Sequence, residues 1–211
     1  GIGHGVAKYF GEAGTDVAIV YRSKKDVAER VAGEIVALGR KATTHAADVT
    51  DVAQLKTAVA AAIAAHGRIH TVVWAAGPVV EQVMFPADAS GRVPAEAMRP
   101  GAALIVMSSI PVETCQAQAP RMAARGVGYI DAPVSGGEPG ARDGTLAIMA
   151  GGDAALVESL SDVFAAMGRV TRIGPVGTGQ MTKLSNQIIV GATMAAVAES
   201  MAVSTLVVAC T

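Results

Sequence analysis

Residues 16–46 read DVAIVYRSKKDVAERVAGEIVALGRKATTHA, and this stretch decides the fold. DVAIVY is a compact apolar run of strand character. From Lys25 to Leu38, Val27, Val31, Ile35 and Leu38 recur at helical spacing on one face, and Gly39 supplies the stop. KATTHA is a second short strand. Working outward, residues 51–66 repeat the helical pattern with Val52, Leu55, Val59 and Ile63, closed by Gly67, and RIHTVVW is the next strand. Strand and helix alternating in this way imply a parallel sheet with right-handed crossovers.

The alternation continues in the second half. AALIVM is a strand, Pro111 opens a helix that Gly126 closes, and VGYID is a strand. TLAIMA follows, then a helix capped by Asp153 that turns Leu156, Leu160, Val163 and Met167 inward and ends at Gly168. RVTRI is the last strand, and GPVGTG leads into a long helix. The expectation is an α/β, Rossmann-type, doubly wound parallel sheet with a long C-terminal helix. The least regular region is residues 79–100, where a join between two segments is expected.

Composition narrows the function classes. With 17 basic and 18 acidic residues in 211, the net charge of −1 offers no basic field for nucleic acid, and 3% aromatics leave no stacking platform for single strands. Cys115 and Cys210 lie far apart with no Cys or His cluster beside them, so two buried thiols in a reducing cytoplasm are expected and no metal site. GIGHGVAKYF lacks the basic and apolar regions of a signal peptide. Ile188 to Cys210 carries a single charge, Glu199, but it is rich in Ala, Ser and Thr and has no flanking basic anchors. A buried helix is expected there, not a membrane span.

A candidate nucleotide end lies at the start of the chain. In GIGHGVAKYFGEAG, Gly1 and Gly3 stand at the mouth of a helix, where exposed backbone N–H groups and the helix field favour a pyrophosphate. Arg22 and Ser23 end the second strand of such a unit, where an adenosine ribose would lie. An Arg there suits a 2′-phosphate, which inclines the cofactor to NADP over NAD, although Arg22 reads equally well as a solvated charge.

Residues 1–77 resemble a short-chain dehydrogenase/reductase. The resemblance rests on GIG, on VAIVYRS, on ADV, which sets Asp48 and Val49 where that family contacts adenine, and on WAAG, which adds Ala76 and Gly77. It covers about the first third of the chain. The departures are specific: the strand before Gly1 and the Thr-Gly half of the phosphate loop are absent, and Trp74 and Ala75 replace a polar element. The family's Tyr-x-x-x-Lys pair should follow the strand that ends at Ser108 and Ser109, yet IPVETCQAQAPRMAARG contains no Tyr. Tyr21 and Lys25 have the spacing in the wrong place.

From about Ala95 onward the chain resembles the β-hydroxyacid dehydrogenases, the group of 3-hydroxyisobutyrate dehydrogenase and tartronate semialdehyde reductase. MRPGAALIVMSSIPVET, GVGYIDAPVSGGEPGARDGTLAIMAGG, FAAMGRV, GPVGTGQMTKLSNQ and AAVAES match in order and cover the C-terminal half. The resemblance implies that DAPVSGG holds the substrate, with the Ser135 hydroxyl and the backbone N–H groups of Gly136 and Gly137 converging on a carboxylate. Read by itself, the loop is a structural turn after a strand before it is a binding site. The resemblance also implies Lys183 as acid/base, with Asn186 and Gln187 on the same helical face to orient the substrate hydroxyl. Read alone, Lys-Asn-Gln is an exposed polar helix face. In the family the long helix enters an all-α second domain, which these residues do not complete.

The expectation is therefore composite: a short-chain-like Rossmann half over 1–80, a β-hydroxyacid-dehydrogenase-like half over 81–176, and the start of an interdomain helix over 177–211. The activity implied is NADP- or NAD-dependent interconversion of a small 3-hydroxy acid and its semialdehyde. A cytoplasmic homo-oligomer is expected, with neither membrane nor nucleic acid as partner. The alternatives are a short-chain-type carbonyl reductase and a catalytically inactive nucleotide-binding fragment.

Overall fold

A computed structural model describes residues 2–67, 69–74, 81, 84–85, 95 and 98–209. The first part runs α1 (Ile2–Glu12), β1 (Val17–Tyr21), α2 (Lys25–Ala37), β2 (Ala42–Ala46), α3 (Val52–His66) and β3 (Ile69–Trp74). The second runs β4 (Met98–Val106), α4 (Val112–Ala123), β5 (Gly128–Asp131), β6 (Val134–Ser135), α5 (Gly137–Asp143) and β7 (Leu146–Gly152). It ends with α6 (Ala154–Ser159), α7 (Ser161–Ala165), β8 (Gly168–Gly174) and α8 (Thr178–Ala209).

Local chemistry sets several boundaries as expected. The Asp51 carboxylate accepts from the N–H groups of Ala53 and Gln54 at the start of α3, and Gly67 ends that helix in the left-handed region at φ 76°. α2 buries Ala28, Val31 and Ile35, three of the residues on its apolar stripe or beside it. Pro111 stands at the N-cap of α4, where its missing N–H costs nothing.

β1 and β2 pair in parallel as one sheet. In the larger sheet β3, β4 and β5 are parallel neighbours, while β7 runs antiparallel to both β5 and β6 and parallel to β8. The wholly parallel sheet expected from the alternation is thus corrected to a mixed one. β6 continues past the end of β5 along the same side of β7, so α5 closes a hairpin-like return and does not cross over the sheet.

Both faces of the larger sheet are covered, as the doubly wound reading requires. Leu104 and Val106 of β4 pack with Leu55, Trp74, Met122 and Tyr129, whereas Ile105 between them packs with Ile130, Ile148 and Phe164 on the other face. α1 places Val6 in the second cluster and Ala7 in a third with Val31 and Ile35. Two glycines permit this wedge. A Cβ at Gly5 would lie 2.8 Å from the Ala141 carbonyl oxygen of α5, and one at Gly11 would lie 2.8 Å from the Ile35 side chain.

Two helical expectations need correction. The single helix after Asp153 is broken at Leu160, whose ψ of 14° leaves the helical region, although Phe164 and Met167 still reach the core. Residues 188–210 were expected as a buried helix. Instead Leu184, Ile188 and Met194 are 61%, 65% and 68% exposed, because no other described element lies along α8 beyond its first turns. No helix among the described residues is long and apolar enough to cross a membrane.

β2 and the end of α3 are joined by an unusual triad. The Thr43 hydroxyl lies 2.9 Å from Nε2 of both His45 and His66. One hydroxyl proton can serve only one imidazole, so the other ring must donate its own N–H. Burial and the neighbouring ring push His45 below the usual range; burial and Lys41 do the same to His66, partly offset by Asp16. The unfolded chain therefore takes up these protons first, as pH falls through about 6.5, and stability present above that pH is lost below it. The melting temperature should drop from pH 7.5 to 5.5 in calorimetry, and His66→Gln should flatten the slope. An unchanged slope in that variant would contradict the assignment.

Candidate functional site

The most buried part of the site is a junction at the end of β5. Asp131 has no exposed surface, and its carboxylate accepts from Gly177 N at 2.7 Å and Gln180 N at 2.9 Å, at the start of α8. Burial pushes its carboxyl above the usual range, while the backbone donors of Gly177, Gln180 and Gly179 pull it back. Gln180, 3% exposed, donates from Nε2 to the Ser108 carbonyl at 2.8 Å and accepts from Ile110 N at 3.2 Å. A Cβ at Gly151 would stand 2.5 Å from Asp131 Oδ1, and one at Gly179 would stand 2.8 Å from Oδ2, so both positions must lack a side chain.

From the same Asp131 the chain enters the glycine-rich loop. Ala132 N donates to Val106 O at 2.8 Å and Met149 N to Pro133 O at 3.0 Å, holding the loop as an extension of the sheet. Ser135 pairs with Ala147 of β7 and is half-buried. Among the described residues its hydroxyl makes no hydrogen bond. Gly136 and Gly137 follow at φ 130° and 61°, exposed, at the entry to α5. These φ values point successive backbone groups out of the strand direction, a conformation that favours glycine.

Lys183 lies one turn beyond Gln180 on α8 and is half-buried. Burial alone lowers its pKa, and it has no hydrogen bond or ion pair among the described residues. Asn186 is half-buried and Gln187 exposed, and their amides touch each other, Nδ2 to Oε1, at 3.4 Å. Helix and loop share one support: Ser135 pairs along β7, and Gly179 closes on the Met149 carbonyl of that same strand.

The nucleotide-end residues also follow strand carboxyl ends. Arg22 and Ser23 are exposed after β1, and Asp48 and Val49 come after β2. Asp48 accepts from Thr50 N at 2.9 Å and Thr50 Oγ1 at 2.7 Å; these bonds, with a smaller contribution from Arg22, hold its carboxyl below the usual range. Arg22 thus lies near enough to Asp48 to favour its charged form. Gly3 sits in the first turn of α1 with no atom within 4 Å of the place a Cβ would occupy, an opening into which a pyrophosphate could approach the backbone. Gly1, Ala76, Gly77 and Cys210 lie outside the described residues. Cys115 is buried and its thiol is pushed up to about 12, chiefly by burial, which leaves it unreactive.

Sequence reasoning missed Asp131 and Gln180 as site-building residues. The available signals were an acidic residue closing an apolar strand and a Gln directly after Gly-Thr-Gly.

A doubly wound sheet with an open glycine turn at a helix start and polar groups along its carboxyl edge defines a dinucleotide-binding domain. The chain belongs to the family described as the NAD binding domain of 6-phosphogluconate dehydrogenase, which matches residues 1–177. It is 43% identical over 126 residues to 2-hydroxy-3-oxopropionate reductase of Escherichia coli (strain K12), a match that covers 59% of this chain and 41% of that protein. Among solved structures it is similar to 3-hydroxyisobutyrate dehydrogenase from Salmonella typhimurium, with a TM-score of 0.71, 26% identity, and coverage of 97% of this chain and 65% of that one. It also shares the fold of an imine reductase from Myxococcus stipitatus in complex with NAD+, with a TM-score of 0.69, 18% identity, and coverage of 96% and 62%. The chain thus spans about two fifths of the length of the curated relative, and just under two thirds of each solved one.

Gly151→Ala tests the junction. The added methyl would meet Asp131 Oδ1 together with Gly179 N and Pro175 O, the latter two at 2.9 Å, and none of these can move freely. A loss of roughly 1–3 kcal/mol in urea unfolding is expected, and a neutral result would contradict the packing described.

Proposed function

We propose that this domain serves an NADP- or NAD-dependent enzyme that interconverts a small 3-hydroxy acid and its semialdehyde. The observation that carries the reading is the pairing, on one strand, of a glycine-rich loop with a helix bearing a half-buried lysine that has no partner among the described residues. Its relatives named 2-hydroxy-3-oxopropionate reductase and 3-hydroxyisobutyrate dehydrogenase act on acids of that class, which supports the choice.

In this reading Gly3, Arg22, Ser23, Asp48 and Val49 hold the dinucleotide, with Gly1, Ala76 and Gly77 completing its binding surface. Arg22 favours the 2′-phosphate of NADP. When bound, the nicotinamide supplies or accepts a hydride at the substrate carbon. Ser135 and the N–H groups of Gly136 and Gly137 bind the substrate carboxylate and fix which carbon is presented. Lys183 donates a proton to the carbonyl oxygen as it becomes an alkoxide, and takes it back in the oxidative direction. Its burial lowers the proton affinity of the amine, so the transfer is easier near neutral pH than for a free lysine. Asn186 and Gln187 orient the hydroxyl. The division at residues 80 and 176 and a cytoplasmic setting belong to the same reading.

The exposed apolar residues of α8, from Leu184 to Met201, favour a homo-oligomer built on that helix. Light scattering should show a dimer or larger species, and a monodisperse monomer would count against it.

Two further outcomes test the chemistry. Lys183→Ala should lower the rate of NADPH oxidation with a short semialdehyde by roughly 10²-fold or more while cofactor binding persists; unchanged turnover would contradict the acid/base role. Arg22→Ala should weaken NADPH binding roughly tenfold, the worth of one charge-assisted hydrogen bond, and leave NADH unaffected. Equal effects on both cofactors, read by fluorescence titration, would remove the 2′-phosphate assignment.

A further inference from the structure

We propose that Asp131 and Gln180 are positioning residues for Lys183: together they fasten the first turn of α8 to the end of β5 and to the turn after β4, and so set where the amine stands relative to the substrate loop. The proposal rests on the reading of Lys183 as the acid/base and adds how its place is fixed.

The first N–H groups of any helix lack partners within it, and the usual remedy is a side chain from the residue just before the helix. At α8 the accepting carboxylate comes from elsewhere. Asp131 is 46 residues from Gly177 and 49 from Gln180 in sequence. Gln180 is likewise tied to Ile110 and to Ser108, 70 and 72 residues away. A locally capped helix can shift together with its own preceding turn. This one cannot shift without breaking buried hydrogen bonds to the end of β5 and to the turn after β4, and Gly151 and Gly179 bring β7 against the same carboxylate.

The placement is directional as well. Lys183 is three residues after Gln180, so the two side chains rise from neighbouring positions on one helix face. Asp131 is also the first residue of the loop that continues to Ser135, Gly136 and Gly137. A single carboxylate therefore links the start of the acid-binding loop to the helix that carries the amine. Geometry held this closely matters, since a displacement of about 1 Å between reacting groups can cost on the order of 10²-fold in rate. An amide cannot replace the carboxylate: Asp131→Asn would present an NH2 donor to one of the two backbone donors.

The test reads the proton affinity of Lys183 directly, so it does not depend on turnover. The purified chain is acetylated in competition with a free-lysine standard over a pH series, and Lys183 is quantified by mass spectrometry in the wild type, Asp131→Asn and Gln180→Leu. In the wild type Lys183 should titrate below the standard. In either variant that still melts cooperatively, it should move at least halfway back to the standard as the helix loosens and the amine gains water. Folded variants in which Lys183 titrates as in the wild type would overturn the proposal; a purely structural role predicts a lower melting temperature without that movement. Amide exchange on the wild type gives a check that needs no variant. Gly177 and Gln180 N–H should be protected at least 10³-fold, and exchange at free-peptide rates would overturn the clamp. Lys183→Ala with full turnover would instead remove the acid/base reading and leave the labelling result standing, so the two failures are distinguishable.

Discussion

Asp131 places a carboxylate where water does not reach, and the structure is arranged around satisfying it. Removing such a charge from water costs several kcal/mol even after relaxation, unless donors replace the lost hydration. Here the donors are the backbone N–H groups at the start of α8, at 2.7 and 2.9 Å, and the positive end of the helix lies on the same side. The requirement spreads outward. Gly151 and Gly179 must be bare for helix and strand to close on the carboxylate, and Gln180 must bind the turn after β4 for the first helical turn to be sealed. Helix, sheet and glycine-rich loop form one junction because one buried charge needs them all.

The opposite side of the domain is organised by packing. β4 is buried on both faces, Leu104 and Val106 to one cluster and Ile105 to the other, which rigidifies the middle of the larger sheet. α1 lies between α2 and α5 because Gly5 and Gly11 let it approach both. The helix that opens beside Gly3 is thereby fixed against α5, the helix that begins at Gly137. The start of α1 and the glycine-rich loop are thus held together by close backbone packing.

Much of this was legible in the chain. Val27, Val31 and Ile35 announced α2, Asp51 and Gly67 bracketed α3, and the apolar runs at 17–21, 102–106 and 146–150 are strands. Periodicity, however, reports which face of an element is buried and says nothing of strand direction. Hence β7 antiparallel to β5 was not foreseen. GEPGARD carries three helix-disfavouring residues, yet it forms α5 because Gly140 and Ala141 are buried against β7 and α1. The break at Leu160 hides inside an intact apolar pattern for the same reason. Lys183, Ser135, Gly136 and Gly137 were singled out by resemblance, while Asp131 was passed over because its partners lie more than forty residues away. Long-range satisfaction of a polar group leaves only a faint local mark, here an acidic residue closing an apolar strand and a Gln after Gly-Thr-Gly.

α8 shows what a stretch of sequence cannot say about its surroundings. Its composition suits burial, and its residues from Gln187 to Ala202 are all exposed within this chain. The central claim concerns its other end: the amine of Lys183 and the loop at Ser135–Gly137 grip the same small acid. A crystal structure of the protein with NADP+ and a short 3-hydroxy acid tests this most directly. The carboxylate is predicted on the N–H groups of Gly136 and Gly137, with Lys183 Nζ within roughly 2.7–3.2 Å of the hydroxyl. An acid bound elsewhere, or an amine directed away from it, would contradict the claim.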